Sequence, residues 1–387
     1  MALHAAHKPS GSSTSALAYR RVVVKAGTNV LTNGADALDA KLMASLVSQI
    51  VELQGMGARV ILVTSGAIAA GREVLGETPD GRGAADKQQL AAVGQSRLMH
   101  RYQELFSHFD TVVAQALLTR HDLEDRLGYL NIRNTLDGLL NRGVVPVVNE
   151  NDVVNVEEIS QEGFGDNDQL SALVANLVDA DLLLMLTDSG GLYTADPHRD
   201  PSAQLVPLVE RIDDAVLAQA EQHRSETSRG GMRSKLEAAR MATGSGVTVA
   251  IASGTEPRVV CRVAQGEAVG TLFPTSVSRM ESRKRWILSG LADGGGTVSV
   301  DQGAEKALRT KHGSLLPAGV REVRGRFKRG DVVSILGPQG ERVACGIANY
   351  DDTDLRVIMG TRSDQFLQLL GHHFGDEVVH RNNMAVL

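Results

Sequence analysis

Cysteine is almost absent: Cys261 and Cys345 are the only two in 387 residues, with no C-x-x-C spacing, which excludes a disulfide framework and a cysteine-based zinc site. Both read as reduced, buried, small apolar residues. Aromatic residues make up 3% of the chain, so there is little from which to build a stacking platform for bases. No sign of charge dominates, since 40 Lys and Arg against 46 Asp and Glu leave −6, and a wholesale nucleic-acid binder is disfavoured. Apolar runs are short, Val60 to Val63 and Leu182 to Leu186 being typical, far below the ~18 residues of a membrane span. The phosphate loop G-x-x-x-x-G-K-S/T, the dinucleotide fingerprint G-x-G-x-x-G, the kinase HRD and DFG triplets and the G-x-S-x-G elbow are all missing. His372-His373 is the only His pair and has no third ligand at metal spacing. Residues 1–18 are rich in Ser and Ala, lack acidic residues and a continuous apolar stretch, and read as a flexible extension rather than a signal peptide.

Glycine, in contrast, is plentiful at 40 residues. From Arg21 to about Thr271, short β-branched runs alternate with longer helical stretches. The runs are Arg21 to Val24, Arg59 to Val63, Thr111 to Leu117, Val144 to Val148, Leu182 to Leu186 and Val247 to Ala252. Their nearly continuous apolar character is that of parallel strands covered on both faces. Helices are expected over Leu38 to Gln54, Ala85 to Phe106, Leu123 to Asn141 and Gln169 to Leu177. The pattern predicts an α/β, three-layer αβα sandwich with a mainly parallel sheet. After Phe273-Pro274 the rhythm changes to short strand-like pieces separated by turns such as Gly337-Pro338-Gln339-Gly340, a small, mostly β second domain. The expected division is an extension over 1–18, a main domain over 19–274, a linker over 275–284 and a second domain over 285–387.

Ligands of an open parallel sheet bind beyond the carboxyl ends of its strands, so the informative residues should follow the apolar runs. Lys25-Ala26-Gly27-Thr28-Asn29 follows the first: a cation, a glycine that permits close backbone approach, then hydroxyl and amide groups. Thr64-Ser65-Gly66-Ala67 ends the second and opens a helix whose free amides favour an anion, although Ser65 would serve equally as an ordinary cap. Asn149-Glu150-Asn151-Asp152 and Gly165-Asp166-Asn167-Asp168 can orient an ammonium, a metal or a lysine, or can merely cap and turn. Thr187-Asp188 ends the fifth run. Ser228-Arg229-Gly230-Gly231-Met232-Arg233-Ser234-Lys235 sets a Gly-Gly turn at a helix start with a lysine one turn inside, either an anion nest or a helix start with a solvated Lys.

Taken in order, Lys25-x-Gly27-Thr28, Val63 to Gly71, Asn149 to Asp152, Gly165 to Asp168, Leu186-Thr187-Asp188 and Gly230-Gly231-Met232 with Lys235 resemble the amino acid kinase family, in particular its members that act on the side-chain carboxylate of glutamate. The tail, with Arg285-Trp286, Ser314 to Val320 and Phe327 to Asp331, resembles a PUA domain. The resemblance implies ATP and Mg²⁺ as cofactors, with the metal carried by the nucleotide and no metal ligands of the chain's own. It also implies L-glutamate as acceptor and glutamyl 5-phosphate as product. Lys25 and Lys235 would be catalytic, with Asp168 holding both. Ser65, Gly66, Ala67, Asp152 and Asn167 would bind the substrate. Lys25, Gly27, Thr187, Asp188 and the stretch Arg229, Gly230, Gly231, Met232, Arg233, Ser234 and Lys235 would bind the nucleotide. Implied partners are proline as a feedback inhibitor, glutamyl phosphate reductase as the next enzyme, and further copies of the chain in a homo-oligomer, commonly a tetramer; a cytoplasmic location is expected.

The chain departs from the family at Arg229, where a small residue usually precedes Gly-Gly-Met, and in a longer segment from Glu157 to Gly165. Another carboxylate, carbamate or phosphate kinase of the same fold would share the lysines. RNA binding is the alternative of a different class, resting on the basic cluster Arg321, Arg324, Arg326, Lys328 and Arg329, which on a strand usually marks a solvated face.

Overall fold

Strand β1, Arg21–Ala26, lies at the centre of the larger sheet, and every residue after Arg21 is buried because helices cover both faces. The computed structural model describes residues 16–76, 84–154, 167–197, 199–222, 231–275, 295–311 and 313–387. The sheet has seven strands in the order β3-β4-β2-β1-β5-β6-β7, where β2 is Arg59–Thr64, β3 Val113–Leu118, β4 Val145–Glu150, β5 Leu182–Thr187, β6 Thr248–Ser253 and β7 Thr271–Phe273. β1 to β6 pair in parallel and β7 runs antiparallel to β6. Helices α1 Thr28–Thr32, α2 Ala40–Gly55, α3 Ala67–Leu75, α4 Ala84–Ser107, α5 Arg120–Glu124, α6 Arg126–Asn141, α7 Asn167–Leu177, α8 Asp214–Gln222, α9 Met232–Gly244 and α10 Val259–Ala264 fill the connections.

Each face of the sheet has its own apolar core. Val22, Val24 and Leu184 pack with α2, α4 and α10 on one side, and Val23, Leu183 and Met185 pack with α6, α7 and α9 on the other. This is the expected three-layer sandwich, with strand bounds within two residues of the sequence reading. One helix differs: the stretch from Leu123 to Asn141 is two helices, because Asp125 leaves helical geometry at φ −71°, ψ 128° and its side chain caps α6 by accepting from the Gly128 amide at 2.7 Å.

The pair α3 and α4 is packed unusually closely. A Cβ at Gly94 would stand 1.8 Å from the Ala67 carbonyl oxygen, and one at Gly71 2.0 Å from that of Leu90. Both glycines are therefore required for the backbones to touch. Farther along α4, the Tyr102 hydroxyl shares a buried 2.8 Å hydrogen bond with Thr64 at the end of β2. Together these contacts fix the middle of α4 against the carboxyl edge of the sheet.

The second sheet has the order β12-β11-β10-β8-β9, built from β8 Thr297–Val300, β9 Val320–Arg324, β10 Val332–Leu336, β11 Arg342–Ile347 and β12 Met384–Val386. It is mixed, β8 running parallel to β10 and the other pairs antiparallel. Helices α11 Gln302–Lys311, α12 Asp352–Ile358 and α13 Phe366–Leu370 close around it. Leu130 of α6 is fully buried against Val332, Cys345, Ile347 and Ala385, so one helix of the larger domain is seated on this second sheet. Cys261 and Cys345 are both free and buried, and burial pushes the Cys261 thiol up to about 12. Among the described residues no helix is long and apolar enough to cross a membrane.

Candidate active site

The strand order reverses at β1, whose neighbours β2 and β5 are followed outward by strands on opposite sides, and ligands of such sheets bind beyond the carboxyl ends at that point. Lys25, the last residue but one of β1, is only 1% exposed, an environment an ammonium tolerates only beside an anion. That anion is Asp168, in the first turn of α7 and fully buried, whose Oδ1 lies 2.6 Å from the Lys25 Nζ. Its other oxygen accepts from Lys235 Nζ at 3.2 Å and from the Ser234 hydroxyl at 3.2 Å, both in the first turn of α9. Burial alone would raise the Asp168 pKa, but the two ammonium groups outweigh it and hold the carboxyl below its usual range. The triad sets two lysine ammonium groups against one carboxylate. Gly27 matters for the approach, since a Cβ there would sit 3.1 Å from the Lys25 Nζ.

Beside the charged group runs a line of side-chain amides. Asn167, one residue before Asp168, donates through Nδ2 to the Thr64 carbonyl at 2.7 Å, to Ser65 Oγ at 2.8 Å and to Asn149 Oδ1 at 3.0 Å. Asn149, in β4, passes the chain on by donating to Gln95 Oε1 at 2.8 Å. Gly66 follows Ser65 with φ +101°, a left-handed conformation that suits glycine, and turns the chain into α3 at Ala67. At the end of β5, the Thr187 hydroxyl and Asn29 Nδ2 both donate to Asp188, at 3.1 Å each. Burial pushes the Asp188 carboxyl up, but these hydrogen bonds prevail and leave it lowered.

The structure thus brings together Lys25, Asp168, Ser234 and Lys235 in one cluster, and Ser65 with Asn167 in an adjoining one. Gly231 precedes α9 and Met232 opens it; Arg233 turns aside to pair with Glu237 at 2.9 Å. Asp152 lies half-buried in the turn after β4, which Gln88 of α4 holds through the Val153 carbonyl at 3.3 Å. Arg229, Gly230, Gly165, Asp166 and the segment from Glu157 to Gly165 lie outside the described residues. Three members of the site had no individual role assigned from the sequence. Asn149 and Asn29 lie inside the strand-end motifs and were detectable there. Gln95 lies within a helix and carried no such signal.

Two other features do not join this site. A cleft of about 500 Å³ at the amino end of the sheet is lined by Arg20, Arg21, Arg59, Asp179 and Asp181, and Asp181 there accepts from the Arg20 and Arg21 amides, which makes it a clasp for the start of β1. In the basic cluster of the second domain, Arg321 pairs with Asp301 and Arg324 with Glu322, both at 2.8 Å, and Arg329 lies 4.0 Å from the centre of the Phe374 ring.

The larger sheet, covered by helices on both faces, thus carries Lys25 and Lys235 about a shared Asp168 at its carboxyl edge. The amino acid kinase family profile matches residues 20–253 and the PUA domain profile residues 296–370. The chain is 48% identical over 369 residues to the glutamate 5-kinase of Dehalococcoides mccartyi strain CBDB1, covering 95% of this chain and 99% of that one. It is 48% identical over 367 residues to that of Deinococcus radiodurans, covering 95% and 100%, and 49% identical over 375 residues to that of Shewanella amazonensis, covering 97% and 98%. Among solved structures, the UMP kinase of Bacillus anthracis aligns with a TM-score of 0.46 at 17% identity, over 67% of this chain and 97% of its own. The chain belongs to the glutamate 5-kinases of the amino acid kinase family, with a PUA domain behind the kinase domain.

Proposed function

We propose that this chain transfers the γ-phosphoryl group of ATP to the side-chain carboxylate of L-glutamate, giving L-glutamyl 5-phosphate, the first committed compound of proline synthesis. The observation that carries the reading is the buried Lys25–Asp168–Lys235 group at the strand ends. The nucleophile is a carboxylate already ionised at neutral pH, so no general base is called for. The obstacle is its repulsion from the polyphosphate, and fixed positive charge is the remedy. Lys25, held from below by Asp168, would meet the phosphoryl group in flight. Lys235 would neutralise charge accumulating on the nucleotide side. Asp168 sets both ammonium groups in advance, so no reorganisation is needed as charge shifts.

In this reading Ser65, Gly66, Ala67, Asp152 and Asn167 bind glutamate. Gly27, Thr187, Asp188 and residues 229–235, from Arg229 to Lys235, hold ATP. Mg²⁺ would arrive with the nucleotide and shield its phosphate charge. The same reading places the kinase domain at 19–274 and the PUA domain at 285–387, and brings a cytoplasmic location, a homo-oligomeric state, proline as inhibitor and glutamyl phosphate reductase as consumer of the labile product. The test is trapping of the acyl phosphate with hydroxylamine, using ATP, Mg²⁺ and L-glutamate against L-aspartate, N-acetylglutamate and carbamate, each with and without proline. Glutamate-selective hydroxamate formation supports the proposal, and turnover of another acceptor in its place refutes it.

A further inference from the structure

The line of amides has a direction that the chemistry of its first member dictates. Asn167 faces the Thr64 backbone carbonyl, which can only accept, so the nitrogen of Asn167 must lie on that side. The same nitrogen meets Asn149, which must therefore present its oxygen, leaving the Asn149 nitrogen to face Gln95. Gln95 then presents Oε1 to Asn149, and its own nitrogen stands at the far end. None of the three amides can be flipped without placing two donors or two acceptors against each other. Two atoms remain over, both enclosed and both without a hydrogen-bond partner among the described residues: the acceptor Asn167 Oδ1 and the donor Gln95 Nε2. An unsatisfied buried amide is costly, so a donor and an acceptor left unused at the two ends of one polar chain mark a place prepared for a ligand carrying the complementary pair.

A free α-amino acid carries that pair. Its ammonium can only donate and its α-carboxylate can only accept. We propose that Gln95 is a specificity residue of the acceptor site, its Nε2 donating to the α-carboxylate of the substrate while Asn167 Oδ1 accepts from the α-ammonium. The side-chain carboxylate is then directed toward Lys25. This rests on the acceptor being an amino acid with a free α-carboxylate, as proposed above. The position of Gln95 follows from the fold: the neighbouring Gly94 lets α4 touch α3, and Tyr102 anchors the same helix to Thr64.

Gln95→Glu separates this role from a structural one, because the new carboxylate still accepts from Asn149 but loses the donor and sets a negative charge against the substrate's α-carboxylate. kcat/KM would be measured by hydroxamate formation with L-glutamate, with glutarate, which lacks the ammonium, and with 4-aminobutyrate, which lacks the α-carboxylate. Gln95→Met, similar in volume, serves as the second variant, with the thermal midpoint of each recorded. The expected result is a loss of about ten- to a hundredfold on glutamate and glutarate, mainly through KM, and less than threefold on 4-aminobutyrate, with KM for ATP unchanged. An equal loss on all three acceptors, or none on glutamate, overturns the role of Gln95. Absence of glutamate turnover by the unaltered chain would instead overturn the proposed function itself, so the two failures are told apart.

Discussion

Replacing Lys25 by Met, alone and together with Asp168→Asn, separates what the buried ion pair does for the fold from what it does for chemistry. At 2.6 Å and an effective dielectric of ~20, Coulomb's law gives the pair an attraction of about 6 kcal/mol, from which the cost of burying the ammonium must be subtracted. Removing one partner of a buried pair costs about 3–5 kcal/mol, and Lys25→Met should fall near the lower end because Lys235 still faces Asp168 at 3.2 Å. Asp168→Asn should fall near the upper end, since it leaves two ammonium groups without an anion between them. In a domain of this size each kcal/mol moves the midpoint by about 2–4 °C, so losses on the order of 6–12 °C are expected for Lys25→Met. The double variant removes one charge of each sign and should unfold at a higher temperature than Asp168→Asn, with a coupling of about 2 kcal/mol or more in the cycle.

Activity should behave differently. Each single variant and the double should lose about 10²-fold or more in kcat, because a transition-state contact is not restored by relieving a folding defect. Thermal unfolding and the hydroxamate assay, run on the same four proteins, give both readings. Additive losses of stability would show that the pair is not energetically coupled. Retained kcat in Lys25→Met, with the midpoint lowered, would make Lys25 a structural cation and refute the role assigned to it.

Ser65→Ala and Asn167→Ala should raise KM for glutamate by about tenfold with KM for ATP unmoved; a change confined to the ATP KM would show the site to be divided differently. The lowered Asp168 pKa makes a contribution to stability that is fully present above the unfolded-state value of about 3.9 and is lost as pH falls through the lower folded value, so the unaltered chain should lose more stability in acid than Lys25→Met/Asp168→Asn, as measured by denaturant unfolding from pH 6 to 3. Gly94→Ala should cost about 3 kcal/mol or more, because its methyl would stand 1.8 Å from a backbone oxygen; a thermal midpoint equal to that of the unaltered chain would contradict the close helix contact. Leu130→Ala should cost about 2–5 kcal/mol and separate the unfolding of the two domains into distinct calorimetric transitions, whereas one unchanged transition would show that the seat on the second sheet carries little energy.

The larger sheet was legible because its strands are buried on both faces and so read as unbroken apolar runs, as Val22-Val23-Val24 and Leu182 to Leu186 do. The second domain was legible as a change of rhythm and as a resemblance carried by short motifs, but not in its pairing order, since strands of three to six residues offer too little pattern to register one. The break at Asp125 was missed for a related reason: a helix that stops and restarts on one capping side chain keeps its apolar spacing across the join. The charged group at the active site fared better, because a parallel sheet places every strand end on one edge, and Lys25, Ser65 and Thr187 could be assigned to a common crevice before any distance was known.

The amide line obeys a different logic, and its concealment has a physical cause. Gln95 lies in a helix whose buried positions recur every three to four residues, and it sits at the edge of that stripe, so its own character resembles any amphipathic boundary residue. What draws it into the site is the loss of side chains at Gly71 and Gly94, which lets two helix backbones come into contact and carries the following residue to Asn149. In a helix interior each of those glycines costs roughly 1 kcal/mol relative to alanine. That cost is offset by packing that no larger residue could make, and the same packing delivers a polar group to the end of an otherwise complete hydrogen-bonded chain. In the proposed reading charge stabilisation would come from the strand ends, while discrimination of the acceptor would depend on how closely two helices approach, a property of pairs of elements that no single stretch of sequence displays.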